Sequence, residues 1–178
     1  ALKEYPAARK YVEQPLGETK VYLCYYPMKQ TEIIMLGKDQ LFNESLYPNI
    51  FLYNDYYGSG LSSIMFQEIR EKMALAYSVY SSFGVPQYSY ESHYVTSYVG
   101  TQSDKMKTAL AEMSKLLNDM PEVPQQFEGA RSSVIKTLES DWTTRDAIYA
   151  AYERAQKRGL NYDVRKVVYE KAKTTNIT

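Results

Sequence analysis

Apolar and polar positions change rhythm several times along the chain, and each change marks an element. Thr19 to Tyr26 alternates around Val21, Leu23 and Tyr25, and Gln30 to Leu36 is rich in β-branched residues. With Pro27 to Lys29 between them, the two runs predict a hairpin or a closely spaced strand pair. A helical segment from about Ser45 to Tyr57 follows, with Pro48 in its first turn, where the missing N–H costs nothing. Gly58 and Gly60 then form a glycine turn, suited to positive φ or close backbone approach, and Ser59 can hydrogen-bond the free N–H groups of the helix that begins there. In that helix, about Gly60 to Lys72, the stripe is Leu61, Met65, Ile69 and Met73, widened by Ile64 and Phe66. Arg70 falls on the opposite side, near Ser63 and Gln67.

Two strands are predicted next, Ala76 to Phe83 and Ser92 to Val99, separated by Gly84-Val85-Pro86 and paired antiparallel. The remainder is helical. Ser103 or Asp104 caps a helix carrying Met106, Ala109, Leu110, Met113, Leu116, Leu117 and Met120, and Pro121 stops it. Pro124 starts a second, striped by Phe127, Ala130, Val134, Leu138 and Trp142. Thr144 opens a third through Ile148, Tyr149 and Tyr152 to Gly159, and Asp163 opens a fourth with Val164, Val167 and Val168. Strands early and helices late predict an α+β fold, a two-layer sandwich of a mostly antiparallel sheet with helices packed on one face.

Composition narrows the field. At 178 residues and 44% hydrophobic content the chain suits one domain, residues 1–178. Its 21 basic and 21 acidic side chains cancel, which removes any net field for nucleic acid, and no apolar run is long enough to span a bilayer. The single cysteine, Cys24, excludes an internal disulfide and reads as a small buried hydrophobe in a strand. The 19 tyrosines read for the most part as half-buried positions of the core, with a peptide-binding wall as the alternative. The opening Ala1 and a closing Lys-Thr-Thr-Asn-Ile-Thr, whose Thr175 or Asn176 resembles an N-cap, suggest a piece of a longer protein.

One stretch carries a resemblance. The glycine turn, then Leu-Ser-Ser-Ile-Met-Phe-Gln-Glu-Ile-Arg-Glu-Lys, then Leu-Ala-Tyr-Ser-Val, is similar to the signature in the C-terminal half of the pitrilysin/insulinase family of zinc metallopeptidases. Mitochondrial processing peptidase subunits and bc1 core proteins share that superfamily, and the flanking layout fits over roughly residues 20 to 140. The resemblance implies one half of a clamshell. An N-terminal half-domain, on the same chain or a separate subunit, carries Zn2+ on a His-x-x-Glu-His helix, and the C-terminal half supplies an arginine and a tyrosine that reach an extended peptide substrate. Matched residue by residue, that pair is Arg70 and Tyr77. A guanidinium offers fixed donors to a substrate carbonyl or carboxylate, and a phenol can donate to the oxyanion formed during peptide-bond attack. On spacing alone Arg70 would be a solvated helix residue and Tyr77 a strand residue sharing a face with Val79 and Phe83.

The chain departs from the family at Met73-Ala74, where Arg-Gly is common, so a residue preferring negative φ replaces a turn glycine. It has one histidine, His93, and no His-x-x-Glu-His, so it is expected to bind no metal or other cofactor and, alone, to be inactive. His93 reads as a structural or surface residue. Two functions follow from the resemblance: the substrate-binding, non-zinc half of an active zinc metalloendopeptidase, or a catalytically inactive protein-binding scaffold like the bc1 core proteins. Keeping both Arg70 and Tyr77 favours the first. The family's spread suggests a bacterial periplasmic or cell-envelope parent.

Overall fold

A computed structural model describes residues 9–177. Three strands form the sheet: β1 (Gln30–Leu41), β2 (Ser78–Gly84) and β3 (Ser92–Gln102). They pair antiparallel in the order β1-β3-β2, with Ile33 opposite Val99 and Val99 opposite Val79 at the centre. One short connection and one long one explain the order. Pro86 and the turn at Tyr88–Glu91 let β3 return directly beside β2, and β1, separated from β2 by a helical layer, takes the other flank of β3.

Helices cover one face. α1 (Tyr47–Tyr53), with Pro48 in its first turn, runs into a wider π turn, Asn54–Gly58. The signature segment supplies a second wide turn, Phe66–Lys72, and α2 (Met106–Asn118), α3 (Pro124–Ser140), α4 (Arg145–Lys157) and α5 (Val164–Ala172) follow. The α+β two-layer expectation holds. The core lies between sheet and helices, where Tyr57, Met65, Ile69, Val99, Met113 and Val168 are fully enclosed. A buried polar string crosses it: the Tyr53 hydroxyl meets Ser81 Oγ at 2.7 Å, and Ser81 Oγ meets Ser97 Oγ at 2.7 Å. Each hydroxyl there satisfies its neighbour, which is the condition for keeping such groups out of water.

Several expectations are corrected. Thr19 to Tyr26 forms no strand, and Val21, Leu23 and Tyr25 are about 90% exposed, as is the region around Cys24, which is a free and exposed thiol. The signature stripe is narrower than a four-residue repeat suggests. Ile64, Met65 and Ile69 are buried, whereas Leu61 precedes the helical turns and Met73 follows them, and both are exposed. Closing hydrogen bonds i to i+5 puts residues five apart in line, as Ile64 and Ile69 are, and rotates Met73 off the stripe. Ser63, expected beside Arg70, is buried instead.

The helical C-terminal part also differs in its faces. Neither Ser103 nor Asp104 caps α2 with its side chain; those residues form a 3-10 turn that leads into it. Thr144 and Asp163 do cap α4 and α5, accepting from Ala147 and Arg165 backbone N–H groups. In α4, however, no residue is buried, and Ile148, Tyr149 and Tyr152 face outward. Trp142 lies beyond the end of α3 and is 88% exposed. More than half of the described tyrosines are exposed, so the half-buried reading of them fails. An amphipathic stripe states that a face is apolar; which neighbour covers it is a tertiary matter.

Candidate functional site

The site is built around the two glycines and the turn that follows the signature segment. Gly58 closes the π turn against the edge of β2. A Cβ there would stand 2.0 Å from the carbonyl oxygen of Ser81, so only glycine permits this approach. Beside it, Asn54 takes the place of a neighbouring strand. Its Oδ1 accepts the Phe83 N–H at 2.8 Å and its Nδ2 donates to the Phe83 carbonyl at 3.0 Å. Gly60 has a φ of 92°, and a Cβ there would meet nothing, so its requirement is conformational alone.

The cap of the signature segment is Ser63. Its hydroxyl donates to the Gly60 carbonyl at 2.9 Å and accepts from the Phe66 N–H at 3.3 Å. Ser59, the sequence candidate, turns back toward the Asn54 carbonyl.

The segment ends at Ala74 in the left-handed region, with a φ of 50°. Backbone N–H groups of Ala74 and Leu75 reach back to the carbonyls of Arg70 and Ile69 at 3.1 and 3.0 Å, closing the exposed helix end as a glycine cap would. Alanine adopts the glycine conformation because three contacts fix the turn: Lys105 Nζ donates to the Ala74 carbonyl at 3.2 Å, Thr101 Oγ1 to the Leu75 carbonyl at 2.5 Å, and the Tyr77 N–H to the Gly100 carbonyl at 2.9 Å. Thr101 and Lys105 were not singled out in the sequence, where nothing links them to a turn some 30 residues away.

Arg70 and Tyr77 stand on either side of this turn, and both are exposed. The Arg70 guanidinium stacks over the Phe66 ring, 4.7 Å from its centroid, with Glu71 a loose 3.9 Å away. Stacking holds the planar fork flat and leaves its donors free of hydrogen bonds among the described residues. The Tyr77 hydroxyl likewise has no hydrogen-bond partner among the described residues and lies on an exposed side chain. The two side chains flank the same turn, and no hydrogen bond or cation–π contact joins them. Neither lines the cleft of about 500 Å3 between α1, β2 and α3, whose walls include Phe51, Asn54, Phe83 and Leu138. The pair is an open surface.

The residues present do not fit a zinc ion. His93 is 1% exposed, and both ring nitrogens are occupied: Nε2 accepts from the Asn43 N–H at 3.1 Å and Nδ1 donates to the Gly84 carbonyl at 3.0 Å. Stacked on Phe42 and edge-on to Phe83, it ties the far ends of β2 and β3 to the loop before α1. It is a structural residue. Among the described residues no three histidine, cysteine or acidic side chains are grouped to hold a metal.

Residues 2–133 match the family described as the peptidase M16 inactive domain. The chain belongs to that family. This M16 domain is 30% identical over 138 residues to a protein of Rickettsia bellii (strain RML369-C) named an uncharacterized zinc protease. The match takes in 76% of this chain and 30% of that protein, so the chain spans about a third of its relative's length. Among solved structures, the fold resembles a peptidase M16 inactive domain from Pseudomonas fluorescens, with a TM-score of 0.66 at 17% identity over 85% of this chain and 36% of the other. It also resembles the inactive peptidase domain of a zinc protease described from Bordetella parapertussis, with a TM-score of 0.62 at 12% identity over 83% of this chain and 80% of that one. At such identities the shared feature is the fold. The resemblance drawn from the signature stretch is borne out, and the chain is an inactive half of the M16 zinc protease family.

Proposed function

We propose that this domain is the substrate-gripping half of a two-part zinc metallopeptidase, residues 1–178 forming one lobe and an N-terminal half carrying the metal and closing over it. The observation that carries the reading is that Arg70 and Tyr77, the family pair, flank a backbone turn kept in its glycine conformation without glycine, and both present free polar groups outward. A turn that served packing alone would have no need to hold two unpaired donors at its ends.

In this reading the Arg70 guanidinium donates to a backbone carbonyl or the terminal carboxylate of an extended peptide, and so fixes its register. The Tyr77 phenol donates to the carbonyl oxygen of the bond under attack as that oxygen gains charge. A hydrogen bond present only as charge develops speeds the reaction, and removing one such donor costs about 3 kcal/mol, on the order of 100-fold in rate.

The test uses this chain reconstituted with its N-terminal half and a fluorogenic peptide. The chain alone is expected to be silent, the pair active, and Tyr77→Phe to lower kcat with little change in KM. Arg70→Ala is expected to raise KM. Wild-type activity in both variants would remove the assigned roles, and a reconstituted pair with no activity on any peptide would favour a scaffold.

A further inference from the structure

We propose that the open edge of β1 is a strand-binding site whose occupant is this chain's own segment Thr19–Tyr26. The edge is identified by the direction of its backbone groups. The Lys29 carbonyl accepts from the Ser103 N–H, so it points at β3, and in an antiparallel ladder this direction alternates along the strand. Thr31, Ile33 and Met35 therefore point toward β3 as well, and Gln30, Glu32, Ile34 and Leu36 turn their N–H and C=O groups away from the sheet. Among the described residues none of those four receives another backbone partner. The opposite edge of the sheet, on β2, is already engaged by Asn54 and Gly58. β1 is long, carries no proline and, among the described residues, has no strand on its outer side, which is the kind of edge that attracts a strand.

The candidate strand is tethered at both ends of that edge. Glu13 bonds the Ser92 N–H at 2.8 Å and Lys38 Nζ at 2.9 Å, and Lys38 also donates to the Gln14 carbonyl. At the other end, Lys29 meets Ser103. From Lys38 back to Lys29 the edge measures about 30 Å, at roughly 3.3 Å per strand residue. The chain from Gln14 to Lys29 must cover that distance antiparallel to β1, and it has length to spare for a turn at Pro15–Gly17.

Register follows from the loop. The chain reverses at Pro27, where the Met28 N–H donates to the Tyr26 carbonyl at 2.7 Å, a three-residue turn. With Pro27, Met28 and Lys29 as the loop, Tyr26 faces Gln30, Cys24 faces Glu32 and Tyr22 faces Ile34. These are the β1 residues whose backbone groups point outward. The same register lays Val21, Leu23 and Tyr25 beside Met35, Ile33 and Thr31 on the helix-covered side of the sheet, where Ile33 and Met35 already pack on the core. The segment's apolar alternation, its turn and the free backbone groups all agree on one register. In the structure Val21 is 89%, Leu23 90% and Tyr25 89% exposed, so pairing would bury them. In the structure the segment is unpaired, and only its flanks are held at the two ends of the edge. Pairing it turns a three-stranded sheet into a four-stranded one and withdraws the edge from other strands.

The native cysteine gives the test. In a directly opposed antiparallel pair the Cα atoms stand about 5.5 Å apart, within disulfide reach. E32C in the full chain is expected to form an intramolecular disulfide with Cys24 under mild oxidation at least ~10-fold faster than L36C, whose thiol lies about 13 Å further along the strand. Glu32 and Leu36 are both exposed, so neither change disturbs the core. In the unsubstituted chain, the Glu32, Ile34 and Leu36 amides are expected to exchange with deuterium ~10-fold more slowly than in L23P. Equal crosslinking of E32C and L36C, or no difference in exchange, would overturn the proposal. Disulfide-linked dimers of E32C in place of the internal bridge would overturn it too, in favour of a second copy on the edge.

Discussion

Ala74→Gly is expected to stabilise the domain, although mutation of alanine to glycine ordinarily does the reverse. Ala74 holds a φ of 50°, where Cβ crowds the following carbonyl, at a cost of about 1–2 kcal/mol to an L-residue. Glycine removes that crowding. Against this, glycine has a more disordered unfolded chain, which costs about 0.4–1 kcal/mol. Ala74 is exposed, so deleting its methyl leaves no cavity to subtract. The difference is a gain of about 0.5–1 kcal/mol, read as a rise of about 2 °C in Tm at the 2–4 °C per kcal/mol typical of this size. Urea unfolding followed by circular dichroism should show the midpoint moving up with the slope unchanged. Ala74→Val should move it down, because a β-branched residue tolerates this region worse than alanine. A midpoint for Ala74→Gly at or below the parent's would refute the claim that the turn is strained. It would mean that the Lys105 contact to the Ala74 carbonyl, and its neighbours on Leu75 and Tyr77, hold the turn at no cost.

The two glycines before the signature segment should separate in the same assay: Gly58→Ala, forced into the Ser81 carbonyl, is expected to lose about 3 kcal/mol, and Gly60→Ala, which meets only its own φ, about 1 kcal/mol. Equal losses would show that the close approach to β2 is not the constraint. Thr101→Val keeps the side-chain shape and leaves the buried Leu75 carbonyl without its donor, for an expected loss of about 1–3 kcal/mol by urea unfolding. Hydrogen bonds from Ser92, with the Lys38 ammonium, hold the Glu13 carboxyl down at about 2. The sign follows: a carboxyl depressed in the folded state contributes stability above its unfolded value near 4.5, and that contribution is lost as pH falls from there toward 2. Glu13→Gln should flatten the stability profile in this window; an unchanged acid limb would place the acid sensitivity elsewhere.

The sequence by itself determined most of the element order and the class. Alternation in Ser92 to Val99, prolines at 48 and 124, and side-chain caps at Thr144 and Asp163 act through neighbours a few residues away, and they act the same way wherever the helix or strand is placed. The family was legible for the same reason, since the stretch from Gly58 to Val79 carries its signature in consecutive residues. Tertiary structure decided which apolar faces are covered. Ile148 and Tyr149 have a helix's periodicity and stay exposed, Cys24 and Val21 have a strand's and no ladder, and Met73 is turned outward by the wide winding of its own segment.

It also decided the turn on which the candidate site rests. The family resemblance implies glycine at position 74, and the chain has alanine; Thr101 and Lys105, brought over by β3 and the turn after it, make the difference. Local rules fix what a short segment prefers. Contacts between residues far apart in the chain supply the energy to override that preference, and no sequence pattern records which distant side chain will arrive.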